Sequence, residues 1–246
     1  MQTRFTPDGG TLSMSQPEPV TPTAIVWDLD GTLVESAPDL ATALNTLLNE
    51  QGQHAHTVAN VRPMIGGGVA KLIERGFRAS GNPLDETAVE KLVPRFMEIY
   101  TACATDNTDL LPHARDVLNH FYLAGVKQGL CTNKPHSVTR LIVNALDIHG
   151  FFSSVIGGDS TPMRKPNPLP LLTCLEEMGA RPEDALMVGD SGADVGAARA
   201  AGVPVILVPD GYTGVPAVSL GADFVVGNLA EIPELIKPLP PLRQTA

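Results

Sequence analysis

Two aspartates one residue apart, Asp28 and Asp30, close a short apolar run and are followed at once by Gly31 and Thr32. The run, residues 24–27, has the length and composition of a buried strand. Residues two apart on an extended chain point to the same side, so both carboxylates would share one side of the strand's end. Unpaired carboxylates are poor packing material, since each costs on the order of several kcal/mol to bury. A bound cation is the natural compensation. Gly31 allows the chain to leave the strand sharply and to approach a ligand with its backbone. An Asp-Gly turn is the simpler alternative, but the whole run hydrophobic-Asp-x-Asp-Gly-Thr-Leu is much rarer than that dipeptide.

Further along, polar groups again follow apolar runs. Residues 126–131 lead into Thr132-Asn133-Lys134-Pro135. A hydroxyl there, beside the amides of a helix start, suits a phosphate or simply caps the helix. Lys165 lies in Met163-Arg164-Lys165-Pro166-Asn167-Pro168-Leu169-Pro170. Prolines at alternate positions hold it in one place, where it offers a point charge to phosphate or forms part of an exposed basic loop. Residues 185–189 lead into Asp190-Ser191-Gly192-Ala193-Asp194. Magnesium takes one or two carboxylates plus substrate phosphate, although an acid in a helix's first turn is also favourable by itself.

These residues need elements that bring them together. From residue 111 onward, apolar runs of strand length alternate with helical periodicity. That alternation predicts an α/β fold with a doubly wound, mostly parallel sheet and helices on both faces, a Rossmann-like core. Ligands bind beyond the carboxyl ends of such strands, so Asp28, Asp30, Thr132, Lys165, Asp190 and Asp194 are expected at one sheet edge. Residues 39–105 carry only helical periodicity, over 40–48, 58–65, 69–77 and 89–100, with Pro94 predicting a kink or break. They read as a small inserted all-helical cap between core segments 23–38 and 106–240. Gly66-Gly67-Gly68 marks a hinge or a backbone contact with substrate. Residues 1–22, rich in Gly, Pro, Ser, Thr and Gln, read as a flexible tail.

The composition narrows the function classes. The chain has 246 residues, 43% of them hydrophobic, and a formal charge of -10. That argues against nucleic-acid binding, which rests on basic patches. No apolar run reaches the ~20 residues of a membrane span, and no secretory signal opens the chain. Three widely spaced cysteines, Cys103, Cys131 and Cys174, fit neither a disulfide framework nor a zinc site and point to the cytoplasm. Cys131 reads as a small buried strand residue. The six histidines show no metal spacing, and nothing in the sequence determines the oligomeric state.

Asp28-Leu29-Asp30-Gly31-Thr32, Thr132-Asn133, Lys165-Pro166 and Gly189-Asp190-Ser191 with Asp194 match, in order, the four motifs of the haloacid dehalogenase-like hydrolase superfamily. Within it, residues 33–40, Arg62-Pro63-Met64-Ile65-Gly66 and Thr132-Asn133-Lys134-Pro135 resemble phosphoglycolate phosphatases. The resemblance implies Mg²⁺-dependent hydrolysis of a small phosphomonoester, 2-phosphoglycolate first, with Asp28 as nucleophile and Asp30 as acid/base. It places Mg²⁺ on Asp28, Asp190, Asp194 and the Asp30 carbonyl, and phosphate on Thr132, Asn133 and Lys165. Closure of the cap would exclude water and read the leaving group. For a leaving group with a carboxylate, Arg62, Gly66 and Lys71 are the candidate contacts, solvated surface charge being the alternative for the two cations. Rival activities are another sugar-phosphate or nucleotide phosphatase, a pyrophosphatase and a phosphosugar mutase. A phospho-acceptor receiver would lack the second aspartate and the helical insertion, and a silent relative would be expected to lose one of the acids.

Overall fold

The computed structural model describes residues 22–209, 211–212 and 214–236. Most of the expected tail, and residues 237–240 of the expected core, lie outside the described residues. In chain order the elements begin with β1 (Ala24–Trp27), β2 (Val34–Glu35), α1 (Ala37–Glu50), α2 (Val58–Val61), α3 (Val69–Ala79), α4 (Glu86–Cys103) and β3 (Asp109–Leu110). They continue with α5 (Ala114–Leu123), β4 (Lys127–Cys131), α6 (His136–Ala145), β5 (Ser154–Ile156), α7 (Leu169–Met178) and β6 (Ala185–Gly189). The last are α8 (Gly192–Ala201), β7 (Val205–Leu207), β8 (Phe224–Val225) and α9 (Ile232–Leu235).

Six strands form one parallel sheet in the order β5-β4-β1-β6-β7-β8. The order reverses at β1: the chain builds outward through β4 and β5 on one side, and through β6, β7 and β8 on the other. Such a switch point leaves a crevice at the carboxyl ends of the strands. The register sets Trp27 beside Leu130 of β4 and Val188 of β6, so all three strands end level. Both faces of β1 are buried. Ile25 and Trp27 pack with residues of α5, α6 and α9 and with the helical insertion, while Ala24 and Val26 pack with α7 and α8. A strand enclosed on both sides must be apolar throughout, as residues 24–27 are. The indole N–H of Trp27 is satisfied by Gln128 Oε1 at 3.1 Å, and Gln128 donates in turn to the Leu118 carbonyl.

Residues 37–103 form four helices between β2 and β3. Those two strands, only two residues each, pair antiparallel where the chain leaves and re-enters the core. They are too short to show in the sequence. The helix expected over 58–65 instead divides into α2 and a tight 3-10 turn at Arg62–Met64, where Pro63 has no N–H to continue the α-helical pattern. Pro94 does not break α4, which runs unbroken over 18 residues. Pro94 and Glu90, four residues earlier, are exposed, so the carbonyl left without its donor faces water.

One buried acid ties the two chain crossings together. Asp39, in the first turn of α1, is fully buried and accepts hydrogen bonds from the Asn107 backbone and side-chain nitrogens at 3.0 Å and from Thr108 Oγ1 at 2.8 Å. Asp39→Ala would strand these donors. We expect it to lower the unfolding free energy by about 3 kcal/mol. Urea denaturation measures this, and a loss below about 0.5 kcal/mol, the size of an ordinary surface substitution, would contradict it.

Candidate functional site

The crevice at the switch point collects residues from four strand ends. Asp28 follows β1, Thr132 follows β4, Asp190 follows β6, and Lys165 comes from the loop between β5 and α7. Carboxylate oxygens of Asp28, Asp190 and Asp194 lie within 4.8 Å of one another, and all three residues are buried. Lys165 Nζ stands among them, 2.8 Å from Asp28 Oδ1, 2.6 Å from Asp194 Oδ1 and 2.6 Å from the Cys131 carbonyl. An ammonium has three donors, and all three are used. Gly31, at φ 82°, passes close beside Asp190: a Cβ there would sit 2.6 Å from its Oδ2, so only glycine fits.

Asp30 points to the other side of the crevice. Its Oδ1 accepts from Ser36 Oγ at 2.5 Å and pairs with Lys134 Nζ at 2.8 Å. Asp190 Oδ2 accepts from the Tyr212 N–H at 2.7 Å. Asp194 closes a capping box with Ser191 at the start of α8. Its Oδ2 accepts from the backbone and hydroxyl of Ser191 while its Oδ1 holds Lys165.

Three buried carboxylates against one ammonium leave an excess of negative charge. Burial pushes Asp28 up to about 6, with Lys165 opposing the rise and Asp194 adding to it. Burial, then Asp194 and Asp28, raise Asp190 well above the carboxylate range. Burial alone would lower Lys165, but Asp194 and Asp28 outweigh it and raise the lysine. Such a donor set, hard oxygens with unbalanced negative charge, fits a divalent cation. Asp28 and Asp190 are the natural ligands, since both oxygens of Asp194 are engaged by the protein.

The sequence model for haloacid dehalogenase-like hydrolases matches residues 25–208, from β1 past β7. The chain belongs to that family. It is 40% identical to a phosphoglycolate phosphatase of Caulobacter vibrioides, across 85% of this chain and 89% of the relative. A phosphoglycolate phosphatase of Rhodospirillum rubrum is 38% identical across 86% and 89%. The fold superimposes with a TM-score of 0.80 on a crystal structure described as a predicted phosphoglycolate phosphatase from Haemophilus somnus, 30% identical and covering 87% of this chain and 97% of that one. The enzyme class is therefore that of a haloacid dehalogenase-like phosphatase.

The structure brings Asp28, Asp30, Thr132, Lys165, Asp190 and Asp194 to one end of the sheet, but Asp28 and Asp30 do not share one side as expected, because β1 ends at Trp27 and Asp30 lies in the turn beyond it. Three candidates sit differently. Asn133 lines the crevice, but its side chain is engaged by the protein: its amide nitrogen donates to the Gly66 and Lys165 carbonyls, and its oxygen accepts from the Lys165 N–H. It holds the lysine loop against the glycine run. Lys71 points outward from α3, pairs with Glu74 at 2.7 Å and is 59% exposed at its side chain. Helical spacing turns it away from the face that Leu72 buries. Arg62 pairs with Glu35 and lies over the Tyr212 ring, 5.2 Å from its centre. Gly66 does line the crevice. Lys134, Tyr100, Ser36 and Tyr212 were not among the candidates. Lys134 stands beside Thr132 and Asn133 in the same short run, which was the available signal; the other three come from distant segments.

The raised Asp28 carries a pH signature. In its ordinary range, near 3.8, the unfolded chain releases the proton that the folded chain keeps until about 6. Between those values the native state binds more protons, so its stability falls as pH rises, by about 3 kcal/mol across the window. Thermal melts in chelator from pH 4 to 7 should show this loss in the wild type and a flatter profile in Asp28→Asn. Added divalent cation should restore stability at pH 7. Parallel wild-type and variant profiles would contradict the assignment.

Proposed function

We propose that the chain hydrolyses 2-phosphoglycolate to glycolate and phosphate in the cytoplasm, using Mg²⁺ and an aspartyl-phosphate on Asp28. One observation carries the reading: Asp28 sits at the switch point with its Oδ1 bonded to Lys165, and Asp30 lies across the crevice two residues on. The 40% identity to a phosphoglycolate phosphatase over most of the chain supports the substrate. The location rests on the three free cysteines. No described helix is long and apolar enough to cross a membrane.

An Asp28 oxygen attacks phosphorus in line with the departing alkoxide. Lys165, bonded to Asp28 and Asp194, keeps the nucleophile oriented and offsets charge beside it. Asp30, with Oδ1 held by Ser36 and Lys134, protonates the leaving oxygen through its other oxygen, then takes a proton from the attacking water. The Thr132 hydroxyl accepts from the Lys134 N–H at 3.2 Å, which leaves its own proton for a phosphate oxygen. Bound Mg²⁺, held by Asp28, Asp190 and the Asp30 carbonyl with Asp194 behind them, would neutralise charge on the phosphoryl group. Residues 39–105 act as the cap over the crevice, with Tyr100, Gly66 and Gly68 on its inner side.

Phosphate release over a panel of phosphate esters tests this reading. We expect 2-phosphoglycolate to be turned over best, chelation to abolish turnover and Mg²⁺ to restore it. Asp28→Asn should lower kcat by about 10³-fold or more. Full activity of that variant would sink the mechanism, and isomerisation without phosphate release would sink the reaction class.

A further inference from the structure

We propose that Lys134 is a specificity-determining residue, binding the carboxylate of the leaving group. The proposal rests on the phosphomonoesterase reading above and deepens it. Lys134 follows β4 by three residues, and its side chain is 2% exposed. Its Nζ donates to Tyr100 Oη at 2.6 Å and pairs with Asp30 Oδ1 at 2.8 Å. It also stands 4.9 Å from the centre of the Tyr100 ring. An ammonium has three donors. One is donated to Tyr100 and the charge is paired with Asp30, so among the described residues at least one N–H of this crevice-lining lysine is left for a ligand. Lys165, by contrast, spends all three on Asp28, Asp194 and the Cys131 carbonyl.

Position decides what that donor can reach. Asp30 serves the bridging oxygen, and Lys134 is bonded to Asp30. In 2-phosphoglycolate the carboxylate carbon is two bonds from the bridging oxygen, so the charge of the leaving group falls beside the acid. The neighbouring wall is apolar, with Leu40, Ile65, Val69 and Leu72. Little competing solvent reaches such a surface, and a charge-assisted hydrogen bond is strengthened there. Of the other cations around the crevice, Arg62 pairs with Glu35, while Arg75 and Arg164 hold the Met64 and Gly158 carbonyls and keep further donors; Lys134 differs from them in being paired with the acid Asp30. Tyr100 belongs to α4 and Lys134 to the core, so the cap itself orients the recognising group.

Asp30 also depends on Lys134, so loss of activity alone would not separate recognition from support of the acid. The ratio of kcat/KM for 2-phosphoglycolate to that for 2-hydroxyethyl phosphate does separate them, because only the first ester carries the carboxylate. We expect Lys134→Gln to lower this ratio about tenfold or more, mainly through KM for 2-phosphoglycolate, and Lys134→Arg to retain part of it. If both esters lose the same factor, Lys134 serves only Asp30 and the inference falls. Should Lys134→Gln not fold, Tyr100→Phe reads the same quantity with one atom removed. The ratio should then drop about threefold, because Lys134 loses the partner that orients it, and an unchanged ratio overturns the proposal. A wild-type ratio near one would overturn the substrate reading together with the inference. A high wild-type ratio that survives Lys134→Gln overturns the inference alone.

Discussion

Burying Asp28, Asp190 and Asp194 around a single ammonium is the constraint on which the rest of this molecule depends. Negative charge without solvent must be compensated, by protons, by a cation or by both. The protein supplies one fixed cation, Lys165, and a set of fixed donors: the Tyr212 N–H for Asp190 and the Ser191 backbone and hydroxyl for Asp194. Each carboxylate is thereby held in one orientation. Asp28 is held through its Oδ1, and its other oxygen accepts no hydrogen bond from the described residues, which suits a group that must accept a phosphoryl group. The same charge excess that makes the metal-free site costly makes it ready for a hard cation.

That arrangement is possible because of where β1 lies in the sheet. A strand with parallel neighbours on both sides, buried on both faces, ends in a crevice that the helices flanking the sheet do not cover. Its carboxyl end is the one place where buried, polar and accessible groups can meet. The apolar residues 24–27 therefore do more than fill the core. They fix the level at which Asp28 emerges, beside the ends of β4 and β6.

The helical insertion is fastened to this frame by polar contacts as well as by its apolar face. Asp39 binds the returning chain at Asn107 and Thr108. The Tyr212 hydroxyl accepts from the Ser36 and Ala37 N–H groups at the start of α1, and its ring lies against Arg62. Tyr212 thus touches Asp190 through its backbone and the insertion through its side chain. Lys134 and Tyr100 form the corresponding link on the opposite wall. Asp30 and Asp190 are each linked to the insertion through one residue, Lys134 and Tyr212.

Much of the chemistry was legible along the chain. Asp28, Asp30, Asp190 and Asp194 follow strongly apolar runs, and a charge at the end of a buried strand is conspicuous because it breaks the pattern that packing demands. The strand-helix alternation likewise specifies a parallel sheet, since residues buried on both faces have to be apolar. Groups whose roles arise from contacts between distant segments were not legible. Lys71 and Lys134 are the same residue type beside comparable motifs, yet one turns to solvent and the other to the crevice. Helical phase, readable from Val69, Leu72, Ile73 and Phe77, turns Lys71 outward, whereas the return of α4 beside Lys134 is not encoded in the local run. Asn133 belongs to a recognised motif, but its partners, Gly66 and the Lys165 backbone, lie far away in sequence. Local pattern determined which side chains had to be compensated and on which elements they stand; tertiary packing alone decided which partners compensate them, because hydrogen bonds and charge pairs depend on distances that only the folded chain sets.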